Sequence, residues 1–524
     1  MNVSALRFGL VGFLIFLAGW LFGQPVQEYR AEFPAKPSDR PHEIITLNTE
    51  GLALVRDMQK YAQGNKKWQV DLLDTTLTRL WTTELDLDNR LNLVGFEHVP
   101  GRLYLLFRES QTTYYNFELL TLDLASRSFQ TDRVKFDLNF QLTHFTVSGT
   151  TALFGGYINS EPAVLLFNHD SDKPKVLPGL FTRNISLLDL RANHNNSFNV
   201  LLLEDRRGSS QRLIYRTFDS GGNLIIEDLI SIDPRFTLLS GLTSRLVLDD
   251  MMIIGTYGEG HAKEVLGFYS TKVDPFSEQP VIYTDLPSIA HFLDYLPEKK
   301  AKKTLAKASR EKAAGRIPRY KTNLLPIRLE EVGKAYYLFA EIFHPPSNVT
   351  YYPYGSPSWN YYYGSPFGSP SNPYRPSGYD SPTQPDQLRN NDVRMIQSLV
   401  LRYRSPGATP DGVTLKYEDV RRPMLDQTGD FALRRDSAIL AYKYKTDVVY
   451  LPESDDPLSR PESRKASVRL LNDNDVLKEE DEETGGLRHW YGHHFYAWGY
   501  RRVRTTVNEE AESRYVFYVN RLDF

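Results

Sequence analysis

Three groups of side chains have the residue types and spacing for recognition or chemistry. They are a lysine run at Lys299, Lys300, Lys302 and Lys303, an aromatic cluster at Tyr351, Tyr352, Tyr354, Trp359, Tyr361, Tyr362, Tyr363 and Phe367, and a histidine group at His489, His493 and His494. The lysine run opens a segment with ten Lys and Arg from Lys299 to Lys321 against Glu298 and Glu311. Its strong helix formers predict a basic helical insertion over 288–321. Such a helix fits an acidic protein, a phosphate-bearing lipid or a nucleic acid, or is simply a solvated surface helix. Leu305 stands nearly alone among alanines, so the continuous apolar face that membrane binding needs is missing.

The aromatic cluster sits in 345–390, where Gly-Ser-Pro recurs at 355, 364 and 368. That Pro and Gly density opposes both helix and ladder, predicting an irregular exposed loop. Aromatic faces on such a loop could stack on sugar rings or on a partner protein, or fold back on their own domain. If helical, His489 and His493 would share a face and could ligate a metal. Their surroundings, HWYGHH followed by FYAWGY, read instead as strand or turn, and no metal or other cofactor is expected. The acidic stretch 453–486, with Asp473 and Asp475, lacks the Gly and terminal Glu of an EF-hand and reads as a second irregular loop. G-x-S-x-G, H-E-x-x-H and a Gly-rich phosphate loop after a strand are missing, so catalytic residues are unassigned.

The elements that must carry these groups are strands. The run Thr151 to Asp170, TALFGGYINSEPAVLLFNHD, reads as a β-hairpin broken at Asn-Ser-Glu-Pro. Similar units of four short strands recur from Glu43 to Leu286, resume at 324–420, and finish at Phe524. That predicts an all-β fold, a single β-propeller over 43–524. Setting the three insertions aside leaves roughly 350 residues, about seven four-stranded blades at the usual repeat length, with six or eight left open. A terminal strand is expected to complete the blade at the opposite end of the chain. The basic insert and the aromatic loop interrupt one blade at different strand connections, which leaves open whether they share a rim.

The chain has 524 residues, 62 Lys and Arg against 65 Asp and Glu, and no cysteine. Near-neutral charge gives no whole-chain attraction to nucleic acid, and disulfides and thiolate chemistry are excluded. Arg7 followed by the apolar run Phe8 to Phe22 predicts a signal peptide over 1–23, with a retained anchor as the alternative. The run is short of the roughly twenty residues of a membrane span. Residues 24–42, rich in proline, read as an extended lead-in. The mature protein is therefore expected in the periplasm or secreted, without an integral membrane domain and away from nucleic acid.

The insert HFLDYLPEKKAKK (His291 to Lys303), the strand KAYYLFAEIFHP (Lys334 to Pro345) and the aromatic loop together resemble uncharacterised secreted β-propeller proteins of Gram-negative bacteria. The resemblance implies fold and location and brings no activity with it. The resulting expectation is an exported binding or scaffolding module at the cell envelope, contacting a protein or glycan; its oligomeric state is not legible. The alternative is a polysaccharide-active hydrolase or lyase with its acid and base on the channel strands. Carboxylates converging on a shared cleft would favour the enzyme.

Overall fold

The computed structural model describes residues 25–524 apart from 110–115, 137, 172, 181–183, 206–209, 247–250, 261–263, 321, 345–392, 406–407, 423–424, 435–436, 453–461, 483 and 508–509. The signal segment 1–23 and the aromatic loop 345–390, with Tyr351 to Phe367, lie outside the described residues. Strands dominate and pair antiparallel into eight small sheets, each four- or five-stranded. These are the blades of a β-propeller, eight rather than about seven.

The chain divides into two compact units. The first comprises residues 39–75 and 79–427 and holds six sheets. They are β2 to β5 (Glu43 to Asp88), β6 to β9 (Leu91 to Lys135), β10 to β13 (Phe140 to Val176), β14 to β17 (Ile185 to Ser231), β18 to β22 (Thr237 to Asp285) and β23 to β26 (Asn323 to Arg422). The period of two along each strand divides its side chains between two cores. On Arg102–Glu109, Leu103, Leu105 and Phe107 enter the core shared with the first sheet, whereas Tyr104 and Leu106 enter the core shared with the third. At about 1.5–3 kcal/mol for each fully buried large apolar side chain, these layers are the main stabilising term.

The hairpin read from Thr151 to Asp170 is Thr151–Ile158 paired with Glu161–Phe167, closing on Asn159 and Ser160 at φ 50° and 66°. Positive φ at both turn residues is the geometry that matches strand twist in a two-residue loop. Gly156 permits close approach of the preceding strand, because a Cβ there would lie 2.1 Å from the Gln141 carbonyl oxygen. The basic insertion is helical as expected: α1 spans Glu298–Ala313.

The second unit, residues 25–38, 76–78 and 428–524 among those described, holds two sheets. The seventh is β27 to β30 (Gly429 to Ser467), and the eighth joins β1 (Arg30–Pro34) to strands among β31 to β34 (Asp475 to Asp523). The acidic stretch 453–486 is thus not wholly an irregular loop. It supplies β30 (Arg464–Ser467) and β31 (Asp475–Glu480), which belong to two different sheets. Closure of the last sheet comes from the lead-in: β1 pairs with β34 (Glu510–Asp523) in the register Arg30↔Asn520 to Pro34↔Val516, and Phe33 is buried. Glu43–Thr46 instead begins a sheet of its own.

Candidate functional site

The first strands of consecutive sheets in the larger unit lie against one another, so their polar residues converge. Within the apolar run Ile185–Ala192 (β14), Asp189 and Arg191 are both buried. Asp189 Oδ2 accepts the Thr243 backbone N–H and hydroxyl, each at 2.7 Å. Arg191 donates Nη1 to the Thr243 carbonyl and Nη2 to the Leu329 carbonyl, both at 2.5 Å, joining β14 to β19 (Leu242–Thr243) and β23 (Asn323–Val332). Glu331 Oε1 accepts the Arg245 backbone N–H at 2.6 Å and lies 3.7 Å from Arg191.

Burial pushes the Asp189 carboxyl up, opposed by Arg191 and by the Thr243 hydrogen bonds. Burial, then the Arg245 charge, pulls His194 below its ordinary value, favouring the neutral ring. Donors therefore already occupy Asp189 and Glu331, and the cluster fastens three sheets together. An acid and a base facing a cleft would need those oxygens open. A sequence signal for this cluster existed: two charged residues on alternate positions of an otherwise apolar strand.

The lysine run sits on α1. Ala308 is the buried contact of the helix. The C-terminal half is tethered: Lys312 pairs with Asp285 at 2.7 Å and donates to Ser288, and Glu311 accepts the Arg319 N–H at 3.1 Å. At the other end Pro297 caps without a side-chain hydrogen bond. Lys299, Lys300, Lys302 and Lys303 are exposed there; Lys302 pairs with Glu298 at 2.6 Å, while the other three have no ion-pair partner among the described residues. With 3.6 residues per turn, Lys299, Lys303 and Arg310 share the face opposite Ala308.

The β23–β24 register shows where the two insertions join the sheet. Asn323, which follows the basic insert, pairs with Phe343 near the end of β24 (Ala335–His344). The insert therefore returns to this sheet at the end from which residues 345–392 depart. His344, at that end, is pulled below its ordinary value by burial, then by the nearby charges of Arg394 and Lys300.

The histidine group lies on a hairpin. His489 Nε2 is 2.9 Å from the Gly492 carbonyl, and His494 Nδ1 is 2.6 Å from Asp523 Oδ1. Asp475 accepts from Thr505 and Arg514, each at 2.6 Å. Among the described residues no three His, Cys, Asp or Glu side chains form a group suited to a metal, and no helix is long and apolar enough to cross a membrane.

No protein-family model matches the chain. No curated protein matches its sequence. Solved structures similar to it include the β-propeller domain of the Trilobed protease from Pyrococcus furiosus, at 8% identity and TM-score 0.35 over 81% of this chain and 95% of that one. Pyrococcus horikoshii acylaminoacyl peptidase matches at 8% and 0.34, over 81% of this chain and 52% of that one. The polysaccharide lyase Uly1 matches at 6% and 0.36, over 95% and 99%. This chain spans about half the length of that peptidase and 53% of a similar prolyl endopeptidase.

Proposed function

We propose that this propeller is an exported binding or scaffolding module at the cell envelope, and that it contacts an anionic protein or glycan partner through the start of α1 and the aromatic loop. The observation that carries this reading is the register Asn323↔Phe343, which returns the basic insert to the end of the sheet from which residues 345–392 depart, with Lys299, Lys300 and Lys303 exposed and without an ion-pair partner among the described residues. A second physical point supports it. Lysines in the first turns of a helix oppose the positive end of its dipole, and here Glu298 is the only acidic residue in the first turn. An anionic partner relieves that repulsion.

The test is titration of the purified mature chain with polyglutamate and with polygalacturonate, comparing wild type with a variant lacking 351–380. The expected result is salt-sensitive binding of at least one polyanion that the deletion weakens while the melting temperature holds. Binding unchanged by the deletion would remove the loop from the surface, and no binding of either polymer would remove the polyanion.

A second reading, a polysaccharide-active hydrolase or lyase, draws on the gathering of Asp189 and Glu331 on first strands with His194 just beyond the end of β14. Against it stands the engagement of Asp189 Oδ2 by Thr243 and of Glu331 Oε1 by the Arg245 N–H, which ties both carboxylates into the packing of the strands. Incubation with acidic polysaccharides is expected to leave chain length unchanged; shortening that Asp189→Asn abolishes would favour the enzyme.

A further inference from the structure

Outer strands of small sheets need protection, because their free N–H and C=O groups are templates for another chain. Most outer strands here have it. Those at Lys175–Val176 and Ile282–Asp285 are short, and those at Ser128–Lys135, Asp411–Arg422 and Arg464–Ser467 carry Lys or Arg. The outer strand of the fourth sheet, β17 (Leu224–Ser231, LIIEDLIS), has neither device. Leu224, Ile225 and Leu229 are 52%, 55% and 48% exposed. Its outer side has no backbone partner among the described residues.

The neighbours extend the apolar patch. Lys175 Nζ donates to the Gly221 carbonyl at 2.6 Å, which sets the short strand with exposed Val176 beside the turn leading into β17. On the other side the Asp274 N–H donates to Asp228 Oδ2 at 2.9 Å, and Phe276, two residues on, is 96% exposed. Charge then selects the occupant. Glu227 is paired with Arg216 at 2.7 Å, but Asp228 has no cation partner among the described residues and feels the Asp274 charge. A second copy of β17 is disfavoured, since its longest antiparallel register sets Glu227 against Asp228.

We propose that the free edge of β17 accepts an added strand from an extended peptide in which aliphatic residues alternate with lysine or arginine. Main-chain hydrogen bonds supply affinity, the aliphatic residues cover Ile225 and Leu229, and a cation meets the Asp228 and Asp274 carboxylates. This surface is independent of the α1 surface and stands or falls separately.

Fluorescent short peptides alternating valine with lysine, serine or glutamate, titrated by anisotropy into the full mature chain, test it. The lysine peptide is expected to bind at least about tenfold more tightly than the serine peptide, a difference of about 1.4 kcal/mol, and the glutamate peptide more weakly still. Amide exchange over 226–231 is expected to slow in the complex. Leu229→Lys, at an exposed position, should keep the melting temperature and weaken the lysine peptide about tenfold or more, and Asp228→Asn should reduce the preference for lysine over serine. Equal binding of the lysine and glutamate peptides, unchanged exchange over β17, or a dimer in sedimentation that Leu229→Lys dissolves would overturn the proposal.

Discussion

Glu480 stands opposite Arg501 in the ladder between β31 and β33 (His494–Val507), and its Oε2 accepts the guanidinium Nε at 2.8 Å with both side chains almost out of solvent. The same carboxylate takes the Lys443 ammonium at 2.9 Å and the Tyr518 hydroxyl at 2.7 Å, while the Arg501 guanidinium lies 3.8 Å over the Tyr518 ring. One anion thus serves two buried cations. Glu480→Ala should therefore cost about 3–5 kcal/mol, the range for breaking a buried pair. Urea unfolding read on the transition of this unit checks it: the midpoint should fall steeply with an unchanged m-value. A loss under about 1 kcal/mol would contradict the assignment.

His144, buried and held at 2.8 Å from the Thr143 hydroxyl, is pulled down to about 3 by burial, with a Leu188 backbone hydrogen bond opposing. An unfolded histidine titrates near 6.5, so between about 6.5 and 3 the unfolded chain binds a proton that the folded chain refuses. Stability from this group is therefore present above about 6.5 and lost as pH falls toward 3. His144→Gln should lower stability at neutral pH yet flatten its dependence between pH 4 and 6 by up to about 1.4 kcal/mol per pH unit. Parallel profiles for variant and wild type would contradict the assignment.

Gly156→Ala should be costly although it adds one methyl group. The added Cβ would fall 2.1 Å from backbone oxygen, which no rotamer change relieves, so a loss of about 1–3 kcal/mol is expected in thermal or urea unfolding. A neutral effect would mean that the Phe140–Ser148 strand moves freely away.

Much of the fold was legible because strands of the larger unit alternate cleanly, as Leu103 to Phe107 illustrate. The blade count failed where strands are polar. Arg464–Ser467 and Asp475–Glu480 are mostly exposed and charged, so they lack the apolar alternation that marks a strand and read as loop. The lead-in concealed β1 for a related reason: Phe33 is its one buried residue, followed at once by Pro34. The apolar run FTLLSGLTS (Phe236 to Ser244) is broken into Thr237–Leu238 and Leu242–Thr243 around Gly241, whose missing Cβ makes room for the Tyr269 hydroxyl. The helix that carries the lysine run was legible because helix formers in an all-β chain stand out. The Asp189 and Arg191 cluster was not, since its partners are mainly backbone groups on strands far away in sequence.

At the start of α1, stability and recognition should move in opposite directions. Acidic residues there complement the helix dipole by about 0.3–1 kcal/mol each, so Lys299→Glu with Lys303→Glu should leave the melting temperature unchanged or slightly raised. Lysines kept only as a solvated surface would give the same thermal result, so the melting curve serves as the folding control.

The decisive measurement is titration of polyglutamate into wild type and the Lys299→Glu, Lys303→Glu variant at low salt, where surface charge is least screened. Wild type should bind, and the variant should bind at least about tenfold more weakly with its fold intact. Equal affinity in both proteins would contradict the assignment of α1 as the contact surface.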